Sequence, residues 1–322
     1  MNALIEKGVD LNGDGIISPH EAELITYLAV SDRHIVDMSG IEAFVNLDTL
    51  ASAHNQLIML DLSHNTALTY LACNHNDLIS LDVSNNAGLK ILSCGYNPLS
   101  MLDLSNNHEL TILNTEGAPI TSLDLTNQTL LESLNCGWNQ LTALDLSSNT
   151  ILESLQCSGN QITTLNLSGY LTLINLHCIG NQLSAFDLTQ NTALRWVHCE
   201  GNQLSELDVS KNTMLETLDC HSNQLTYLDL SQNILLNKIY VGGNQLNNLD
   251  VSKNTKLETL YCNSNQLASL DVSMNTNLTR LKIGSMPTLE EVCVWEIPFP
   301  PEGVDVNTTG SPNVYFTTEC SK

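Results

Sequence analysis

The residues with the most chemistry to offer fall into two groups. In the first, Asp10, Asn12 and Asp14 alternate with other residues, Gly15 follows, and Ser18 and Glu21 complete a twelve-residue stretch. Oxygen donors at the odd places, a glycine at the sixth and a carboxylate at the twelfth make a loop that wraps a hard cation. Asp10, Asn12, Asp14, the Ile16 carbonyl, Ser18 and a bidentate Glu21 form a full EF-hand ligand set for Ca2+. With no second hand to pair with it, the loop is expected to be a structural calcium site and not a sensor. In the second group, His177, His198 and Asp219 follow one another at a constant interval, and Glu200 and His221 each come two residues after a member of that series. Imidazoles and carboxylates so placed could gather a transition metal, or simply hydrogen-bond across a solvated face. Tyr240 and Tyr261 keep the same interval, and Trp196 and Arg280 are spaced by a multiple of it. They offer amphipathic rings and a guanidinium to a peptide or a sugar.

An interval that constant needs a repeating scaffold. Leu131 to Ile151, LESLNCGWNQLTALDLSSNTI, recurs with variation and without insertion. Counting its leucine as position 1, the template is L-x-x-L-x-C-x-x-N-x-L-x-x-L-D-L-S-x-N-x-x. Copies begin at about Leu47, Leu68, Leu89, Leu110, Leu131, Leu152, Leu173, Leu194, Leu215, Leu236, Leu257 and Leu278. This is the leucine-rich-repeat signature. The expected fold is an α/β-type solenoid, a right-handed superhelix with a parallel sheet on its concave face, mostly strand and coil with little helix. In each coil x-L-x-C-x should form a short strand, and the asparagine at position 9 should satisfy backbone groups inside the turn. Positions 3, 5, 7 and 8 should face outward. The second group of residues, together with Trp196, Tyr240, Tyr261 and Arg280, then lies on one face over the coils from Leu173 to Leu278. A smaller aromatic set, Tyr70, Tyr96 and Trp138, lies nearer the N-terminus. The glycines recurring at position 8 read as turn residues. The coil starting at Leu110, with Thr115 for cysteine and Ala118 for asparagine, reads as drift.

Eight of the ten cysteines occupy position 6, from Cys73 to Cys262, where Thr115, Val241 and Ile283 also appear. Stacked in register at the ~4.8 Å strand spacing, such side chains point inward in parallel, which suits a packed column of thiols and not disulfides. Cys293 falls outside this phase, at an outward place in a strand arriving half a repeat early. With Cys320 it makes the one plausible disulfide, which implies an oxidising compartment. The formal net charge is -24, and ten aspartates sit at position 15. That acidity argues against nucleic acid or anionic lipid as partner. Asp-Ser at a bend is a turn former, the carboxylate accepting backbone N–H groups.

Three segments are expected: a cap over 1–30, repeats over 31–288 and a C-terminal cap over 289–322. A short incoming helix spans Asn2 to Lys7, a second runs from Pro19 to about Tyr27, and Leu28 to Val30 makes the first strand. Near the end, Asn313 to Thr318 makes an edge strand. No basic region of a signal peptide precedes Leu4, so Met1 is expected to begin a mature form or a fragment. No apolar run is long enough to span a bilayer.

The 21-residue repeat with its inward cysteine resembles the cysteine-ladder internalins of Gram-positive bacteria and related surface proteins. The resemblance spans about residues 10–290. Members carry an EF-hand-like cap, matching Asp10 to Glu21, and a cap-to-repeat junction similar to Ile35 to Leu47. No immunoglobulin-like domain or cell-wall anchor follows the repeats. The resemblance implies a bacterial protein of the cell surface or the extracellular space. The chain is therefore expected to be a monomeric, non-catalytic recognition module that binds a protein. The alternatives are a glycan-binding component of an uptake system and, behind it, a metal-dependent enzyme. No nucleophile elbow, phosphate loop or paired carboxylates in a cleft support the last.

Overall fold

The computed structural model describes residues 8–320, so the helix expected over Asn2 to Lys7 lies outside the described residues. The chain divides into two compact units. One runs to Leu152 and includes Gly159–Gln161; the other comprises Glu153–Ser158 and everything from Ile162 onward. Each is a parallel β-solenoid of leucine-rich repeats with almost no helix.

In the first unit β1 (Tyr27–Ala29), β2 (Thr49–Ala51), β3 (Tyr70–Ala72), β4 (Ile91–Ser93), β5 (Ile112–Asn114) and β6 (Ser133–Asn135) lie side by side in chain order. Leu50, Leu71, Leu92 and Leu113 are successive partners, so the register advances by one template length per coil. Before β1, helix α1 (Pro19–Glu23) is shorter than expected and Tyr27 already belongs to the strand. A 3-10 turn over Ile41–Ala43 links the cap to the first full coil.

Strands cover positions 3 to 5, so the cysteine at position 6, expected within the strand, falls just past its end. Its N–H still donates across the ladder, as Cys73 does to the Ser93 carbonyl at 2.8 Å. Its carbonyl instead turns into the core, where asparagines take it. Asn202 shows the pattern: Nδ2 donates to the carbonyls of Cys178 at 2.9 Å and Cys199 at 3.0 Å, while Oδ1 accepts from the Leu183 N–H at 3.0 Å. Each such amide ties its own turn to the preceding coil. A second asparagine column, at position 19, is plain in the template, but the sequence pattern does not reveal that it is buried. Asn212 there is fully buried and donates to the carbonyls of Leu188 and Asn191, but its Oδ1 accepts nothing.

The column cysteines are all buried thiols outside any disulfide. Burial pushes Cys94, Cys157 and Cys262 up to about 12. All ten aspartates of position 15 accept the backbone N–H two residues on, from Asp61 with Ser63 to Asp271 with Ser273. In the coil from Leu110, Thr115 and Ala118 are buried in the slots they inherit, which fits drift.

In the second unit β7 (Ser154–Gln156), β8 (Asn175–His177), β9 (Trp196–His198), β10 (Thr217–Asp219), β11 (Lys238–Tyr240), β12 (Thr259–Tyr261), β14 (Arg280–Lys282) and β16 (Asp305–Asn307) form one row. The repeat pattern does not reveal the last of these strands. An insertion containing Pro298, Pro300 and Pro301 breaks the period, so Val306 pairs with Leu281 across more than one template length. A separate three-stranded sheet joins β13 (Ser269–Asp271), β15 (Glu291–Cys293) and β17 (Tyr315–Thr317). Cys293 alternates with core residue Val292, yet it is only 2% exposed, because the C-terminal segment covers it. It forms a disulfide with Cys320, their Cα atoms 5.5 Å apart. Phe299 packs against Trp295 and Phe316 nearby, with ring centroids 5.2 and 4.9 Å away.

Candidate functional site

The loop from Asp10 to Glu21 is closed by hydrogen bonds between its own backbone and its carboxylates. Backbone N–H groups of Gly13 and Gly15 donate to the two oxygens of Asp10 at 2.7 and 2.9 Å, and that of Ile16 donates to Asp14 at 2.8 Å. Gly15 sits at φ 83°, which a side chain resists at the sharpest bend. Glu21 is 4% exposed; one oxygen accepts from Leu11 and Asn12, the other from the N–H and hydroxyl of Ser18. These bonds, those from Ser18 first, hold its carboxyl down at about 2. Ser18 and Glu21 together make the capping box of α1. An all-oxygen set with two aspartates and an ionised glutamate suits a hard divalent cation, so the residues present fit calcium.

In the second unit the strand centres point inward, and positions 3 and 5 line the solvent side. Asp219 and His198 are directly opposed on neighbouring strands, as are His198 and His177. The two imidazoles tilt over each other with centroids 4.5 Å apart. Burial lowers both, and for His198 it outweighs the pull of Asp219. Asp219, 9% exposed, accepts from the backbone N–H of His221 and lies 2.7 Å from its Nδ1. Glu200 is pushed up to about 6 by burial, then by Asp219, and its Oε2 is buried without a hydrogen-bond partner.

Beyond Asp219 the face opens into a groove of about 640 Å³, lined by Asp219, His221, Tyr240, Tyr261, Asn263, Lys282 and Asn307 among others. The tyrosine rings meet edge to face at 5.0 Å, and the Lys282 ammonium lies 4.0 Å above Tyr261. Small residues keep the floor low: a Cβ on Gly284 would lie 2.5 Å from the Thr309 carbonyl, and one on Gly242 2.9 Å from the Asn263 amide. The face thus brings His198, Glu200, Asp219 and His221 into one cluster and Tyr240 and Tyr261 into the groove beside it. His177 only stacks on His198. Trp196 stands outside the groove with Arg195 stacked on it at 4.9 Å, and Arg280 is exposed at the start of β14. Sequence reasoning misses Lys282, Asn263 and Asn307 as lining residues. Lys282 is visible in the position 5 column, whereas Asn307 lies on the strand that the insertion hides.

A scan against protein-family models finds no match, and a search of curated proteins finds none. Among solved structures, the chain is similar to the functional domain of the internalin InlJ from Listeria monocytogenes, which includes a cysteine ladder. The two share 34% identity, covering 86% of this chain and 70% of that one, with a TM-score of 0.71. The chain belongs to the internalin family. InlF, an internalin of the same bacterium, is 24% identical, covering 89% of this chain and 94% of its own, with a TM-score of 0.71. The ectodomain of the plant receptor kinase GASSHO1/SCHENGEN3 from Arabidopsis thaliana, solved in complex with CASPARIAN STRIP INTEGRITY FACTOR 2, shares the fold. It is 21% identical, covering 80% of this chain and 37% of that one, with a TM-score of 0.68.

The first unit of this internalin presents a different surface at position 8. His54, His75 and Tyr96 stack face to face, each pair 4.2 Å apart, and the Tyr96 hydroxyl donates to Glu116 at 2.9 Å. Trp138, 63% exposed, lies over Gly159. His54, His75, Tyr96 and Trp138 all have φ between 53° and 55°, a left-handed conformation that disfavours bulky side chains. The expected set of Tyr70, Tyr96 and Trp138 is therefore regrouped: Tyr70 belongs to β3, and two histidines join Tyr96 instead.

Proposed function

We propose that this internalin-family chain is a non-catalytic, extracytoplasmic recognition module that binds a protein partner through the solvent face of its second unit, with a structural calcium ion held by Asp10, Asn12, Asp14, Ile16, Ser18 and Glu21. The observation that carries the reading is the groove over β10, β11, β12 and β14. Aromatic rings, amides and one lysine line it, and glycines keep its floor clear. Tyrosine, with two stiff torsions and a polar tip, supplies contact area at low entropic cost, the composition found at the centres of protein interfaces. Membership of the internalin family supports recognition over catalysis. The Cys293–Cys320 disulfide supports an oxidising location. Among the described residues, no helix is long and apolar enough to cross a membrane.

The edge-to-face tyrosines beside Asn263 and Asn307 favour a glycan as the second reading, since rings and amides together read sugar faces and hydroxyls. One experiment separates the two. The purified chain and a Tyr240→Ala/Tyr261→Ala variant are probed against a glycan array and against cell-surface protein fractions. Capture of a protein by the parent and its loss in the variant is the expected result. A glycan signal with the same loss selects the second reading, and binding retained by the variant moves the site elsewhere.

A further inference from the structure

We propose that His198, Glu200 and Asp219 bind one divalent transition-metal ion of the zinc type, with His221 orienting Asp219 from the outer shell. One ring nitrogen of His198 and one oxygen from each carboxylate already lie within 4.8 Å of one another. Zinc bonds of about 2.0–2.2 Å bring such atoms closer still, a contraction that side-chain rotation supplies. The scaffold holds them well. His198 and Asp219 end adjacent strands in register, and Glu200 lies two residues beyond His198 on the same side.

Two further observations point to a ligand. Oε2 of Glu200 is buried with no hydrogen-bond partner, and leaving a charged oxygen so costs more than any neutral group. Among the described residues, neither carboxylate has a lysine or arginine partner, although they lie side by side in a chain of net charge -24. A bound cation supplies that countercharge. His221 Nδ1, 2.7 Å from Asp219 Oδ1, fixes the carboxylate as outer-shell partners of metal ligands do, and His177 stacks on the His198 ring from the preceding coil. One imidazole and two carboxylates suit zinc better than calcium, and they leave a coordination position open toward the partner-binding face. This site is separate in chemistry from the all-oxygen loop at Asp10 to Glu21, and it stands whether or not the groove binds a protein.

The test uses the untagged full chain, stripped with a chelator and returned to buffer containing calcium, then titrated with Zn2+ by calorimetry. The visible spectrum of Co2+ provides a second readout of coordination. One saturable equivalent is expected. Glu200→Gln and His198→Gln should each weaken it at least tenfold, since losing even an outer-shell partner of a metal costs about 10–100-fold in affinity. His54→Ala should leave it unchanged. Thermal melting checks that each variant folds, and Glu200→Gln, which removes a half-buried charge without changing shape, decides alone if the histidine variant does not. The proposal fails if the parent shows no saturable Zn2+ site, or if the site survives Glu200→Gln.

Discussion

The two asparagine columns make a matched pair of perturbations. Asn202→Ala and Asn212→Ala delete the same atoms from buried positions ten residues apart, so the packing loss is similar. Their hydrogen-bond consequences differ. Without Asn202 the Leu183 N–H loses its acceptor, while the carbonyls of Cys178 and Cys199 keep donors from Asn181 and Asn223. An orphaned buried N–H costs roughly 1–3 kcal/mol and each of the two weakened carbonyls about 0.5–1.5 kcal/mol, giving roughly 2–6 kcal/mol before packing. Without Asn212 the carbonyls of Leu188 and Asn191 keep the N–H groups of Asn191 and Leu194, and an oxygen that had no partner disappears. That change should cost only about 1–2 kcal/mol, the orphan's removal offsetting part of the lost bonds. Equilibrium urea unfolding followed by far-ultraviolet circular dichroism measures both, and native-state hydrogen exchange should show the Leu183 amide losing protection in the first variant alone. Equal costs, or a larger cost at Asn212, would refute the reasoning that position 9 matters more because its amide oxygen is the acceptor for a buried N–H of the preceding coil.

Other outcomes follow from the same structure. Saturating calcium should raise the melting temperature, by about 2.7 kcal/mol of stability at a hundred times the dissociation constant, and Glu21→Gln should abolish the rise; a parent protein indifferent to calcium contradicts the loop assignment. Hydrogen bonds from Ser63 and its counterparts hold Asp61, Asp103, Asp145 and Asp229 below the ordinary 3.8. Because the folded value is the lower one, their contribution is complete above about pH 4 and is lost as pH falls through the folded values. Calorimetric melting should therefore drop below about pH 4, and a flat profile there counts against the turn role of this column. The ladder thiols, with Cys94, Cys157 and Cys262 raised by burial to about 12, should resist a disulfide reagent at mildly alkaline pH until the chain is unfolded. Rapid labelling of the folded protein would show that the column is open to water.

Much of the fold is legible in the sequence because one template fixes both packing and exposure. Leu131, Leu134 and Cys136 have to face inward once Leu152, Leu155 and Cys157 are recognised as their counterparts in the next coil, and the same phase puts His198, Asp219 and Tyr261 outside. What the pattern hides is whatever a column average erases. Position 8 reads as a glycine turn, which conceals His54 and His75 although they stack with Tyr96. Position 19 reads as a surface turn asparagine, and only the path of the backbone shows it to be interior. β16 escapes because the proline-rich insertion moves it away from its partner β14 by more than the fixed period. The grouping of His198, Glu200 and Asp219 follows from spacing, whereas the unpartnered Glu200 oxygen within it needs coordinates.

The bonds that cross from one coil to the one before have a bearing on how such a surface can change size. Excision of Leu236 to Lys256 would bring Asn265 to the Cys220 carbonyl and the Leu225 N–H, the two atoms that Asn244 now holds. The seam would close on a chemically identical contact. Loss or gain of a single residue in the same stretch would instead mismatch the contacts that its own coil makes with its neighbours. Recombination between near-identical stretches can thus lengthen or trim the outward face in whole rungs, carrying each rung's side chains along intact.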